Sequence, residues 1–418
     1  MQCELKILFV SMEYPPETGG GGIGSYMIAL APALAAQGHE VHVLSCVAGQ
    51  QHADYVSQGV HIHRRDQIYV RGLGRVNAPY TATRLRTGLS AFLEYRRLRT
   101  EFDVIEYPDW GAEGWALALA RPKPLVAHLH TPLPLIQRYN RLRRNRDVAA
   151  ASFLERVSVR RADLITSASR LLMSALTEIG WLNGRTADIV PYGIDWRLWQ
   201  DLPDAMAAGP TVLYLGRLEP RKAPENVAAA IRILRAEIPD ARAMFVGRST
   251  GCYGNTQYAE WMRGLVADET SGCVHLDQVP REALRTIFAR VRALALPSWF
   301  DSYGMVALEA MAAARPVVVT AATGAAEFVR QAGGGRVVPP GDAEALADSL
   351  RPFLRDPEFA HEVGRAGQSA VRTHLDPDRI AAARSEVYRR AYHVFLGHAS
   401  RAQEPSDARG ERASHGAP

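Results

Sequence analysis

Lysine is nearly absent from this 418-residue chain. Lys6, Lys123 and Lys222 are the only three, and arginine carries almost all of the 49 basic residues. Cysteine is scarce too: Cys3, Cys46, Cys252 and Cys273 stand far apart, without metal or disulfide spacing, which suits a reducing, cytoplasmic compartment. No apolar run approaches the ~20 residues that span a bilayer, and the N-terminus lacks a basic-then-apolar signal. Charge of one sign is not in large excess, at +5 overall. No recognised binding module accompanies the arginines, which argues against a nucleic-acid partner. Asp376-Pro377-Asp378 has the look of a metal-binding pair but follows no apolar strand and opens a helix, so no metal is expected.

What is present is the composition of a globular protein, 47% hydrophobic and 22% charged. The chain is too long for one ordinary core and implies two domains. Short apolar runs, read as strands, alternate with helical segments. They fall at residues 6–10, 41–46, 60–63, 103–106, 125–129 and 164–167, and again at 211–215, 243–246, 274–276, 293–296 and 317–320. That alternation predicts an α/β fold with parallel sheets. Residues 196–210, rich in Asp, Pro and Gly, read as a linker between a domain at 1–195 and another at 211–375. A long helix over 377–395, within a segment 376–397, precedes a polar tail, 398–418, expected to be disordered.

Residues 297–317 organise the rest. A strand leads through Pro297-Ser298 into a turn with Asp301, Ser302, Tyr303 and Gly304. A helix of good formers follows, and Pro316 ends it before the next strand. Ligands of open parallel sheets sit where such turns feed helices. A helix N-terminus contributes ~0.3–1 kcal/mol to a nearby anion, up to ~2 when partly buried, so a phosphate suits Tyr303–Met305. Glu309, about two turns on, can accept from hydroxyls attached to that phosphate. Gly19, Gly21 and Gly24 formally satisfy G-x-G-x-x-G. However, they follow the strand at a distance, and the next strand ends without an acid to hold a ribose. Arg217 and Lys222 flank another strand-to-helix turn, which suits a diphosphate clamp. His128 and His130 lie at the end of strand 125–129. They are expected to project to opposite faces, with one reaching a ligand. Arg138, Arg141, Arg143, Arg144 and Arg146, beside Tyr139, form either a solvated surface or an attractor for an anionic acceptor or membrane leaflet, at ~1 kcal/mol per charge near the surface.

Taken together these segments resemble the donor-site signature of retaining, nucleotide-sugar-dependent glycosyltransferases of family 4, over Leu5 to about Phe395. Pro297-Ser298, Glu309-Ala310-Met311-Ala312, Pro316-Val317 and Glu327 fit its pattern. Asp301 stands where the family has Glu, Ala314 and Thr323-Gly324 where it has glycines, and Tyr192 where it usually has Asn. The resemblance implies the GT-B arrangement: two Rossmann-like doubly wound domains facing across a cleft, with the C-terminal helix crossing back to the first. The first domain would take the acceptor and the second the nucleotide sugar.

It further implies transfer from a UDP- or GDP-linked sugar to a hydroxyl of a glycan, glycolipid or small molecule. Configuration would be retained, no metal used, and the product would serve polysaccharide or glycoconjugate synthesis, with peripheral association with an anionic membrane as a further option. By the same resemblance His130 touches the donor sugar, with His128 the second choice. Glu309 holds the ribose, while Gly21, Gly22, Arg217 and Lys222 hold the diphosphate. Asp301 and the backbone of Ser302, Tyr303, Gly304 and Met305 hold sugar hydroxyls, and residues 276–280 line the nucleobase pocket. Arg217→Ala and Lys222→Ala are expected to cut turnover with the fold intact. Two other readings stay open: a non-catalytic sugar-nucleotide-binding relative, and a nicotinamide-dependent oxidoreductase.

Overall fold

Four of the five residues of β1 (Lys6–Val10) are buried, as befits a strand covered on both faces. It pairs in parallel with β2 (Glu40–Cys46) on one side and β5 (Val104–Pro108) on the other. The computed structural model describes residues 4–19, 21–71, 77–248, 256–267 and 271–403. The first sheet adds β3 (Ala53–Ser57), β4 (Val60–Arg65), β6 (Leu125–Leu129), β7 (Leu164–Ser167) and β8 (Asp188–Ile189), in the order β3-β4-β2-β1-β5-β6-β7-β8. The second contains β9 (Thr211–Leu215), β10 (Arg242–Val246), β11 (Cys273–Leu276), β12 (Ala293–Leu296), β13 (Val317–Thr320) and β14 (Gly335–Val338), in the order β11-β10-β9-β12-β13-β14. Every pairing is parallel except that of β3 with β4. This is the expected pair of doubly wound sheets.

Strand order reverses once in each sheet, around β1 and around β9, and ligands of such sheets bind at that reversal. The loops leaving β1, β5, β9 and β12 there carry Glu13 with the glycine run, residues 109–113, residues 217–222 and residues 299–304. The topology thus gathers four distant stretches at the two reversals.

Several features depart from expectation, and the short strands β8 and β14 were not among the expected ones. β3 was not anticipated. It is an edge strand exposed along most of its length, so no apolar alternation marks it. Gln58 and Gly59, with φ of 51° and 77°, turn it into β4 as both residues of a tight hairpin loop. Helices begin earlier than propensity suggests: α1 spans Gly22–Ala36 and α2 spans Pro79–Leu98, the latter opening on a proline. The last helix, α14, spans Pro377–Gln403 and takes in residues 398–403 of the expected tail, whose remainder, 404–418, lies outside the described residues. The segment 196–210 is also no bare tether, because Trp199 is buried against Phe288, ring centres 5.2 Å apart. Cys46 is a buried free thiol, while Cys3 and Cys252 lie outside the described residues.

α14 crosses back onto the first sheet. Tyr388 donates to Glu106 at 2.8 Å, and Ser385 Oγ meets His39 Nε2 at 2.9 Å. At the crossing, the Ile194 N–H donates to the Leu375 carbonyl at 2.8 Å. No helix among the described residues is long and apolar enough to cross a membrane.

Candidate active site

The loop after β9 turns through Pro220–Lys222 into α7 (Pro224–Arg235). Arg221 is buried and braces the loop. It donates to Glu219 at 2.6 Å and to the Phe300 carbonyl at 3.0 Å, while its backbone N–H reaches Asn140 Oδ1 at 3.0 Å. Arg217 is half-exposed, 3.5 Å from Glu219. Lys222 forms an ion pair with Asp301. Burial lowers the Lys222 ammonium from its ordinary value and Asp301 opposes that shift. Burial also works against the Asp301 charge, yet Lys222 and then Arg221 hold its carboxyl below the usual range. Two residues assigned separate roles, diphosphate and sugar, are thus each other's partner here.

In the turn after β12, Gly304 has φ of 87° and caps α10 (Met305–Ala312). A Cβ there would lie 2.6 Å from Thr323 Cγ2, so only glycine fits. The Tyr303 N–H reaches Asp301 Oδ1 at 3.4 Å, and the Ser302 carbonyl accepts from Ser169 of the first domain at 2.6 Å. Glu309, on α10, is buried, which raises its carboxyl above the ordinary value against the pull of Arg281. Arg281 Nη2 lies 2.9 Å from Glu309 Oε1 and forms an ion pair with it. Arg281 Nη1 donates to Ser25 on α1 at 3.0 Å. Glu309, Arg281, Met305, Ser25, Gly193 and Asp195 line a cavity between the domains. Glu309 therefore faces the cleft.

On the first-domain side, the N-terminus of α1 meets a carboxylate of its own chain. Glu13 Oε2 accepts the Gly24 N–H at 3.3 Å and also bonds the Gly21 amide. Burial raises Glu13, while Gly24, Arg217 and Gly21 draw it down. The helix end assigned to a diphosphate through Gly21 and Gly22 is thus served by Glu13, a residue the sequence reading passed over.

His128 and His130 do not face opposite ways. Their ring centres are 4.7 Å apart, because alternate residues of an extended strand share a face. His128 is structural: Arg384 of α14 donates to its Nδ1 at 2.8 Å and Thr166 lies 2.7 Å from the same atom. His130 has its N–H on Asp109 Oδ1 at 2.8 Å and its Nδ1 2.8 Å from the Tyr192 hydroxyl. Burial, and then the charge of Arg384, bring the imidazole down to about 3, so it is neutral. Glu327, counted in the signature, opens α11 (Ala326–Gln331) on the exposed surface, bonded to Gln331. The arginine-rich segment connects α4 (Leu133–Tyr139) to α5 (Arg146–Arg161), with Arg138 paired to Glu178 at 3.3 Å. Residues 276–280 end β11 on an open surface. Among the described residues, no cluster of three or more His, Cys, Asp or Glu could hold a metal.

The chain matches the family model for glycosyltransferase family 4 over residues 20–197 and that for glycosyl transferases group 1 over residues 206–370. It is 30% identical to a glycogen synthase of Mycobacterium tuberculosis over 399 residues, covering 92% of this chain and 94% of that protein. The chain is a family 4, group 1 glycosyltransferase. A D-inositol 3-phosphate glycosyltransferase of Streptomyces coelicolor is 26% identical over 91% of this glycosyltransferase and 90% of its own length. Among solved structures, sucrose-phosphate synthase from Thermosynechococcus elongatus superposes with a TM-score of 0.75 at 22% identity, over 93% of this chain and all of the other. Anabaena HepE in complex with UDP and glucose gives 0.69 at 19% identity, over 93% of this chain and all of the other. These likenesses establish the GT-B fold.

In this glycosyltransferase the residues that sequence reading missed are partners of the ones it named. Arg281 answers Glu309, Asn140 holds the β9 loop, Ser169 holds the β12 turn and Asp109 holds His130. Each lies in a different segment from its partner, and no local pattern announces it.

Proposed function

We propose that this enzyme transfers a hexosyl unit from a UDP- or GDP-linked sugar to an acceptor hydroxyl, with retention at the anomeric carbon. The observation that carries the reading is the convergence on one cleft of the β9 clamp loop, the β12 turn heading α10, and His130. Arg217 and Lys222 would take the diphosphate, assisted by the N-terminus of α10. Glu309, on the wall of the cavity, would accept a ribose hydroxyl. Asp301 and the amides of Ser302, Tyr303, Gly304 and Met305 would hold the sugar, with His130 beside it. Lys222 would then turn from Asp301 to phosphate, freeing the carboxylate for sugar hydroxyls as the donor enters.

As the glycosidic bond breaks, negative charge grows on the departing phosphate. Cations and N–H groups aimed there stabilise the transition state more than the ground state. The acceptor hydroxyl attacks from the leaving group's face and passes its proton to the departing phosphate oxygen, which gives retention. A glycan, glycolipid or small-molecule acceptor is supported by the glycogen, inositol phosphate and sucrose-phosphate names of the relatives. Polysaccharide or glycoconjugate synthesis is the setting we favour. The UDP and UDP-glucose complexes of HepE support the donor class.

A calorimetric screen of UDP- and GDP-sugars, followed by product analysis, tests this. Binding of one donor with α-linked product from an α-linked donor is expected. Inverted product would overturn the retention, and binding without transfer would point to a non-catalytic relative. Binding of nicotinamide dinucleotides instead would overturn the reading altogether.

A further inference from the structure

Tyr192 stands where the chain crosses between domains. Its hydroxyl is 2.8 Å from His130 Nδ1, and its ring packs between Tyr26 and Tyr303, with centres at 4.8 and 4.7 Å. Tyr303 belongs to the β12 turn, so this one side chain touches both His130 and the donor side of the cleft. Its backbone is fixed from the other side, since a Cβ at Gly193 would come within 3.0 Å of Pro377 Cα.

The direction of the Tyr192–His130 bond follows from counting donors and acceptors. Tyr192 is 2% exposed, and among the described residues its hydroxyl has no hydrogen-bond partner but His130 Nδ1. Were Nδ1 to carry the imidazole proton, it would donate to the hydroxyl oxygen and strand the phenolic proton in the interior. A buried donor left without an acceptor is strongly disfavoured. The phenolic O–H therefore donates, Nδ1 accepts, and the single imidazole proton resides on Nε2. No hydrogen bond among the described residues engages that Nε2. The ring is boxed in by the rings of His128, Tyr26 and Tyr192, with centres 4.7, 5.7 and 5.8 Å away, which confines it to this orientation.

We infer that Tyr192 is a positioning residue that fixes His130 as the Nε2–H tautomer, so that it presents a neutral N–H donor to a hydroxyl of the donor sugar. This deepens the reading of His130 given above and rests on it for the sugar contact, though not for the tautomer. Asparagine, the usual residue in the resembling family, offers neither the aromatic packing nor the same reach. The phenol at 192 is thus this chain's own means of orienting the imidazole. It also ties that orientation to the β12 turn, because the Tyr303 ring packs on Tyr192 with centres 4.7 Å apart.

The test is long-range 1H–15N correlation on the full-length 15N-labelled chain at neutral pH, with His130 assigned by its loss in His130→Ala. The expected spectrum shows Nε2 protonated and Nδ1 bare. Tyr192→Phe keeps the ring but removes the donor, so the tautomers should mix. Turnover of UDP-glucose, used as the probe donor, should fall about tenfold in kcat with little change in KM, as when the group orienting a site residue is removed. Placing 4-aminophenylalanine at 192 returns an N–H donor and should restore the Nε2–H form. Protonated Nδ1 in the wild type, or a spectrum unchanged by Tyr192→Phe, overturns the inference. If His130→Ala turns over UDP-glucose normally while the tautomer behaves as described, the sugar contact fails and the positioning stands.

Discussion

Lys222 and Asp301 set the terms at the scale of single residues. Removing one member of a buried ion pair strands the other and typically costs ~3–5 kcal/mol. Arg221 also acts on the Asp301 carboxyl, so Lys222→Ala should fall at the lower end, near ~3 kcal/mol. That replaces the expectation of an intact fold with lost turnover alone. The double variant Lys222→Met with Asp301→Asn removes both charges and should recover most of the stability, yet remain unable to transfer sugar. Urea denaturation beside a transfer assay checks both halves; stability lost equally in single and double variants would mean the pair is not coupled. Arg217→Ala, half-exposed and paired with Glu219 rather than with Asp301, should cut turnover by at least tenfold with under ~1 kcal/mol of stability change.

Asp109 gives a pH dependence of definite sign. Complete burial, with the Glu155 charge adding, pushes its carboxyl up to about 8, and its Oδ2 has no hydrogen-bond partner. A group raised in the folded state contributes its full stability below its unfolded pKa of ~3.9 and loses it as pH rises through the folded value. Wild-type stability should therefore fall between about pH 4 and 8 on account of this residue. Asp109→Asn, which imitates the protonated acid, should flatten that slope by a few kcal/mol in denaturation series across pH. A slope identical to that of the wild type would assign it to other groups.

At the scale of elements, α10 shows what local sequence can and cannot carry. Its start at Gly304 and its end before Pro316 follow from residue chemistry, and both were legible: a cap that only glycine fits and a proline that no helix passes. The strands flanking it were legible as apolar runs bounded by turn residues. The partners were not. Lys222 with Asp301, Arg281 with Glu309 and Tyr192 with His130 are each joined by topology, which brings loops of separate strands to one place. β3 failed for another reason, since an exposed edge strand has no buried face to impose a pattern. One element-level departure from the family is testable. Ala314, just past α10, has φ of 53°, a left-handed conformation that costs a non-glycine residue ~1–2 kcal/mol. Ala314→Gly should relieve it and raise stability by about 0.5–1 kcal/mol, after the entropy that glycine adds to the unfolded chain. Differential scanning calorimetry is the measurement, and a lowered midpoint would show that the methyl group's packing outweighs the strain.

At the scale of the molecule, the last helix completes the first domain. Arg384 on α14 is fully buried, 3.4 Å from Glu106 on β5, with its ring-facing nitrogen on His128 of β6 and its charge over Tyr26 of α1. Chain segments hundreds of residues apart thus share one buried charge pair against His128, whose ring centre is 4.7 Å from that of His130. α14 and the first sheet should consequently open together, while β9–β13 hold. Arg384→Met leaves Glu106 the hydroxyls of Tyr26 and Tyr388 but no cation, and should cost ~3 kcal/mol, whereas adding Glu106→Gln should return a large part of that loss. Native-state hydrogen exchange distinguishes this from mere fraying: protection should drop jointly in β5, β6, β7 and α14 and remain in the second sheet. Loss confined to α14 would show that the helix only leans on the domain. Joint loss would show instead that the geometry of His130 depends on a residue from the far end of the chain.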